Sequence, residues 1–129
     1  MNITNTLYVL IMYFMFCVGT CSAQEVINQG NFKDKIAKDI VVVEFWAEWN
    51  KANEFAELNK LKDSSVYRVD IMHCAKLQAD YKILAVPTVV VFDNGVEKER
   101  FNANIMFQLE ADKKTIQTSI DTIILNKFQ

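Results

Sequence analysis

Residues 43–53 read VEFWAEWNKAN and join the end of an apolar run to the start of a polar stretch. The run Ile40–Phe45, IVVVEF, consists almost entirely of β-branched and aromatic residues. Such a run is typical of a strand that is buried on both faces of a parallel sheet. The segment Asn50–Leu61 carries apolar residues at helical spacing, and asparagine is a favourable residue at a helix N-cap. These residues predict a buried strand followed directly by a helix.

Six further elements are predicted on either side of this stretch. They are a short helix beginning at Asn31, a strand at Val66–Ile71, a helix at Cys74–Tyr81, a strand at Thr88–Phe92, a strand from about Val96 to Phe107 and a helix at Asp112–Phe128. Asp93-Asn94-Gly95 predicts the turn of a hairpin. The order is β-α-β-α-β-β-α after a short leading helix. Two crossovers and a terminal hairpin indicate an α/β domain with a mixed sheet and helices on both faces.

Two motifs carry a resemblance to a known family. Val43–Trp49, VEFWAEW, resembles the strand that leads into the active site of thioredoxins. Ala85–Thr88, AVPT, resembles the cis-proline loop of the same family, and the order of elements also matches. The resemblance covers residues 25–127. It implies a thioredoxin-like fold, with a mixed central sheet and helices on both faces.

The chain departs from the family pattern at the residues that carry the chemistry. In thioredoxins the four residues after this strand are normally Cys-Gly-Pro-Cys, whereas here they are Asn50-Lys51-Ala52-Asn53. A thiolate stabilised at a helix N-terminus attacks the disulfide, and a second thiol resolves the mixed disulfide. An asparagine amide is neither a nucleophile nor a carrier of electrons. The resemblance therefore implies that Asn50 and Asn53 form a redox-inactive site.

Glu44 occupies the position at which the family usually has a buried acid beneath the second cysteine. Burial in an apolar strand disfavours the ionised form and raises the pKa of a carboxyl group. We expect Glu44 to be retained as a core acid that is hydrogen-bonded to Lys51 or Lys76.

The resemblance also implies a surface for a partner. In the family, the residue that matches Trp49 lies beside the active site and contacts partner proteins, and the residue before the cis-proline offers its backbone to an extended peptide. Here that residue is Val86. We predict a non-covalent protein or peptide site formed by Trp49, Lys51 and the rest of the Asn50–Asn53 helix start, and Val86-Pro87. The alternative is that Pro87 only shapes its loop. Trp46 is expected in the core.

Cys74 is the only cysteine after residue 23, so residues 24–129 cannot form an internal disulfide. His73 is the only histidine, and two adjacent ligand-type residues do not make a tetrahedral metal site. We therefore predict no metal and no cofactor, and a structural thiol at Cys74. The alternatives are an intermolecular disulfide, oxidation of the thiol, or a residual oxidoreductase that works through Cys74 alone.

The first 23 residues contain no Asp, Glu, Lys, Arg or His, and Leu7–Val18 is an uninterrupted apolar run. That run has the length of a signal-peptide core, and Cys21-Ser22-Ala23 supplies small residues for cleavage after Ala23. The sequence predicts a signal peptide at 1–23, a domain at 24–129, and a periplasmic or secreted protein. A chain that stays anchored in the membrane by residues 7–20, or by a lipid on Cys21, is the alternative.

The net charge is -2, and the charges are mixed along the chain. This pattern argues against nucleic acid as a partner, because phosphate binding needs a clustered basic surface. The function that we predict is a module that binds a protein or peptide near the cis-proline loop. A structural subunit that dimerises through its sheet edge or its terminal helix is the second possibility.

Overall fold

The computed structural model describes residues 24–129, so the predicted signal peptide and its cleavage site lie outside the described residues. The elements are α1 (Phe32–Ile36), β1 (Ile40–Trp46), β2 (Ser65–Asp70), α2 (Ala75–Asp80), β3 (Thr88–Asp93), β4 (Val96–Phe101) and α3 (Lys113–Asn126). Two short 3-10 helices, Glu48–Asn53 and Leu58–Lys60, lie between β1 and β2. Within this range, no helix combines the length and the apolar character needed to cross a membrane.

The four strands form one mixed sheet in the order β2-β1-β3-β4. Strand β1 runs parallel to β2 and antiparallel to β3, and β3 is antiparallel to β4. Residues 40–45 of β1 are all buried, as expected for a strand covered on both faces. The turn between β3 and β4 has positive φ at Asn94 and Gly95, which is the geometry that an Asn-Gly hairpin favours.

Two apolar cores cover the two faces of the sheet. Val41, Val43 and Phe45 contribute to the core beneath α1 and α2, whereas Ile40 and Val42 contribute to the core beneath α3. The alternation follows from the pleat of β1, which sends successive side chains to opposite faces. The predicted α/β architecture, with helices on both faces of a mixed sheet, is confirmed.

The predicted helix at Asn50–Leu61 is wrong. Asn50 lies inside the first 3-10 segment with non-helical dihedral angles (φ -113°, ψ 22°), and the N-cap position is taken by Ala47. The backbone of Phe55 makes its hydrogen bonds elsewhere: its N–H donates to the Glu44 carboxylate and its carbonyl accepts from Arg68. These tertiary bonds replace the bonds of a continuous helix, although Phe55, Leu58 and Leu61 remain buried.

The last strand is shorter than predicted, because β4 ends at Phe101 rather than near Phe107. Residues 104–108 instead form a tight loop, which we call the Asn104 loop. The Asn104 side-chain oxygen accepts from the N–H groups of Met106 (2.9 Å) and Gln108 (3.1 Å). Phe107 has a φ of 58°, so the chain turns where the sequence predicted an extended strand. An asparagine side chain that bonds to its own backbone competes with the strand ladder.

The apolar cluster around Phe32 gives a test of the fold. This ring is fully buried and packs within 6.0 Å, between ring centroids, of Phe45, Phe92 and Tyr81. We expect Phe32→Ala to lower the free energy of unfolding by about 3–5 kcal/mol in urea titrations. Phe128→Ala is the control, because Phe128 is 84% exposed and its loss should change stability by less than about 0.5 kcal/mol. Equal effects of the two substitutions would contradict this packing.

Candidate functional site

The amide of Asn50 brings two distant loops together. Its Nδ2 group donates to the carbonyl oxygen of Val86 (2.9 Å) and to that of Phe107 (3.0 Å). Its Oδ1 atom accepts from the Nδ2 group of Asn53 at 2.8 Å. Three of the predicted site residues, Asn50, Asn53 and Val86, therefore meet in one hydrogen-bonded cluster. Phe107, which the sequence placed in a strand, is its fourth member.

The turn at Val86-Pro87 presents backbone rather than side chains. Its peptide bond is cis, and both residues are buried. The Thr88 hydroxyl donates to the carbonyl oxygen of Ala85 at 2.7 Å, which closes the turn on itself. Within residues 24–129, the N–H of Val86 donates to no hydrogen-bond acceptor. This N–H is therefore an unpaired main-chain donor within the described residues, on a residue that is 1% exposed.

Exposed apolar side chains border this turn. Trp49 is 58% exposed and meets Phe107 edge to face, with ring centroids 5.3 Å apart. Ile105 and Met106, at the tip of the Asn104 loop, are 96% and 69% exposed. We call Trp49, Ile105, Met106 and Phe107 the apolar rim. Only Trp49 was predicted as a site residue, because the sequence predicted a strand from about Val96 to Phe107.

Lys51 and Trp46 lie apart from this cluster. Lys51 is exposed, and its Nζ is 3.9 Å from a carboxylate oxygen of Glu48, which is a weak surface pair. Trp46 is half-buried at the end of β1, with the Arg68 guanidinium 5.9 Å from its ring centre. The Lys51 side chain is therefore solvent-exposed, whereas Trp46 is only half-buried and not in the core as predicted.

Glu44 is fully buried, but the expected lysine partners are wrong. Its Oε1 atom accepts from Nε of Arg68 at 2.8 Å, and its Oε2 atom accepts from the N–H of Phe55 at 2.6 Å. Lys51 instead pairs with Glu48, and Lys76 with Asp80. The reason is the register of the parallel pair, which places Arg68 of β2 directly beside Glu44 of β1.

Arg68 extends this network to the segment after the first 3-10 helix. Its Nη2 group donates to the carbonyl oxygen of Phe55 at 3.0 Å, and its Nη1 atom lies 3.4 Å from a carboxylate oxygen of Glu54. Loss of solvent raises the pKa of Glu44, and the hydrogen bonds from Phe55 and Arg68 oppose that rise only in part. The network therefore links β1 and β2 to the segment that follows Asn53.

Cys74 and His73 do not act together. Cys74 is 3% exposed and belongs to the core beneath α1 and α2, as a structural thiol does. The His73 ring is exposed, and its Nδ1 atom lies 2.9 Å from a carboxylate oxygen of Asp70. No group of three or more His, Cys, Asp and Glu side chains is placed to hold a metal ion in the described part of the chain.

Comparison with known families identifies the fold. The family model described as Thioredoxin matches residues 23–120. The chain belongs to the thioredoxin family. This confirms the family that the FWAEW and AVPT motifs indicated.

Relatives and solved structures agree with this assignment. The thioredoxin of Mycoplasma genitalium is 37% identical over 70 residues, which are 50% of this thioredoxin-family chain and 69% of the relative. The thioredoxin of Chlamydia trachomatis is 30% identical over 82 residues, or 59% of this chain and 80% of the relative. The solved thioredoxin of Malassezia sympodialis superposes with a TM-score of 0.61 at 25% identity, covering 78% of this chain and 90% of that one.

The raised pKa of Glu44 predicts how stability depends on pH. Glu44 holds its proton more tightly in the folded state than in the unfolded chain. The free energy of unfolding therefore falls as the pH rises above 4.5, the ordinary pKa of the group, towards its higher pKa in the folded state. We expect Glu44→Gln to remove this decline. It should also lower the free energy of unfolding at neutral pH by about 3 kcal/mol, because Arg68 loses its buried partner.

The measurement is urea unfolding of both proteins at a series of pH values from 4 upwards. Glu57→Gln is the control, since Glu57 is half-buried outside the network and its substitution should leave the slope in place. A slope that survives in Glu44→Gln would show that another group causes it.

Proposed function

We propose that this thioredoxin-family chain is a redox-inactive module that binds an extended segment of a protein partner without forming a covalent bond. The observation that carries the proposal is the Asn50 cluster: amides lie between Trp49 and the Val86-Pro87 turn, where the family resemblance places the two redox cysteines. Neither amide is a thiol, so neither residue 50 nor residue 53 can take part in disulfide exchange.

The chemistry of the site supports the first part of the proposal. Disulfide exchange needs a thiolate that attacks and a second thiol that accepts the electrons. Asn50 and Asn53 supply neither. The thiol of Cys74 is buried in the core, so its attack on a disulfide would require local opening of the fold. These features favour binding over a residual activity through Cys74.

Two features of the surface support the second part. The Val86 N–H is a main-chain donor of the kind that pairs with an extended peptide. Trp49 and Phe107 offer large exposed aromatic faces beside it, and such faces contribute strongly to binding apolar side chains. The fitting partner is an extended segment that supplies a carbonyl oxygen to Val86 and an apolar side chain to the apolar rim.

Export completes the proposal. The signal peptide predicted at residues 1–23 would deliver the domain to the periplasm or to the exterior. A domain whose one thiol is buried is compatible with an oxidising compartment, because that thiol is shielded from forming disulfides.

A disulfide-reduction assay tests redox inactivity. With insulin as substrate and dithiothreitol as the electron donor, we expect no acceleration by the protein over the donor alone. The double variant Asn50→Cys, Asn53→Cys should accelerate the reaction, since it restores both thiols to a site that retains the fold. Activity of the unaltered protein that disappears in Cys74→Ser would contradict the proposal and favour single-thiol catalysis.

A display library of random linear peptides tests binding. We expect selection on the unaltered protein to enrich peptides with apolar residues, and Trp49→Ala to weaken a selected peptide by at least about tenfold, or about 1.4 kcal/mol. Phe128→Ala removes another exposed aromatic ring and should leave affinity unchanged. Equal affinity for Trp49→Ala, or no enriched peptide, would count against this surface.

A further inference from the structure

Both donors of one side-chain amide are used to join the two loops of the proposed site. An asparagine amide carries two N–H groups, and those of Asn50 go to the carbonyl oxygens of Val86 and Phe107. These acceptors lie 36 and 57 residues away along the chain. The Oδ1 atom accepts from Asn53, which fixes the orientation of the amide. Asn50 is therefore bonded through both ends of its side chain.

The Asn104 loop is well ordered within itself but has few polar links to the rest of the domain. Its internal bonds centre on Asn104, whose main-chain N–H donates to the carbonyl oxygen of Gln108 at 2.9 Å and whose carbonyl accepts from Phe107 at 3.0 Å. Beyond the loop, Phe107 bonds to the Asn50 amide and packs against Trp49. The base of the loop is held by the bridge between Ala103 and Leu109 and by the packing of Leu109 on the core, whereas these two Phe107 contacts join the loop to the site.

The backbone of Phe107 adopts a conformation that needs support, part of which comes from the bond of its own N–H to the Asn104 carbonyl. Its φ of 58° lies in the left-handed region, which is unfavourable for a bulky aromatic residue. Such a conformation persists where surrounding contacts maintain it. The hydrogen bond from Asn50 to the Phe107 carbonyl is one such contact, and the edge-to-face packing of Phe107 on Trp49 is another.

From this geometry we infer that Asn50 is a positioning residue, which holds the Asn104 loop against the cis-proline turn and so preforms the peptide site. The inference rests on the proposed function and adds a positive role to a residue that otherwise only marks a lost cysteine. A site assembled before the partner arrives avoids part of the entropy cost of ordering loops on binding. The amide has two N–H donors and bonds to both loops at once, whereas a thiol at this position would have a single S–H donor.

Asn50→Asp is the sharpest test, because it preserves the shape of the side chain and removes its donors. An ionised carboxylate only accepts hydrogen bonds, and here it would face two carbonyl oxygens. We expect the nuclear Overhauser contacts between the Trp49 and Phe107 rings to be lost at neutral pH. They should return in part as the pH falls through the range in which aspartic acid protonates, about 4 in model peptides, since the acid form regains one donor.

Two further variants keep the test decisive. Asn50→Ala removes the amide without adding charge, so the ring contacts should be lost at every pH. Asn102→Asp makes the same charge change at an exposed position near the loop and should leave the contacts intact. The unaltered protein at each pH is the reference for effects of other titrating groups. Ring contacts that persist in Asn50→Asp and Asn50→Ala would overturn the inference.

The binding arm uses a peptide selected from the display library. We expect at least about tenfold weaker binding to Asn50→Asp at neutral pH, with partial recovery in acid. Lost ring contacts with unchanged affinity would overturn the role of Asn50 in the site while leaving peptide binding in place. Failure of the library to yield any ligand for the unaltered protein would instead overturn the proposed function, and the ring contacts alone would then decide whether Asn50 positions the loop.

Discussion

The carboxylate of Glu44 is the interaction on which the region around the site depends. It lies fully buried in the central strand and binds both the Arg68 side chain and the N–H of Phe55. Arg68 then binds the carbonyl of Phe55, so the neighbouring strand and the segment that follows Asn53 are tied to one buried charge pair. A charge in a core is tolerated only when it is paired and hydrogen-bonded, and here each oxygen has a donor.

The same pair explains why the chain between β1 and β2 is not a regular helix. The backbone groups of Phe55 are committed to Glu44 and Arg68, and the chain advances in two short 3-10 turns. Asn50 does not cap a helix in this segment. Its amide points to the carbonyls of Val86 and Phe107, and the rim of the site is assembled from three separate parts of the chain. The Glu44–Arg68 network and the apolar rim thus both depend on side-chain hydrogen bonds, in a region that has little regular secondary structure.

Much of the fold could be predicted because it depends on local pattern. The apolar run of β1 and the Asn-Gly turn specify their elements through neighbours in sequence, and both form as expected; the terminal helix also forms, at Lys113–Asn126. The errors arose where a side chain from elsewhere, or a polar side chain acting on its own backbone, outweighed that pattern. Arg68 displaced the predicted lysines at Glu44, and Asn104 ended the predicted strand.

By itself, the sequence determined the family, the buried acid at Glu44 and the amides at residues 50 and 53, since each is a matter of residue type and spacing. Only the tertiary structure decided what those amides contact, that Phe107 belongs to the site, and that Cys74 is sealed in the core. The physical reason is the range of the interactions. Hydrophobic periodicity acts within one element, whereas the hydrogen bonds of Asn50 join residues 36 and 57 positions apart, whose distance in space depends on the whole sheet.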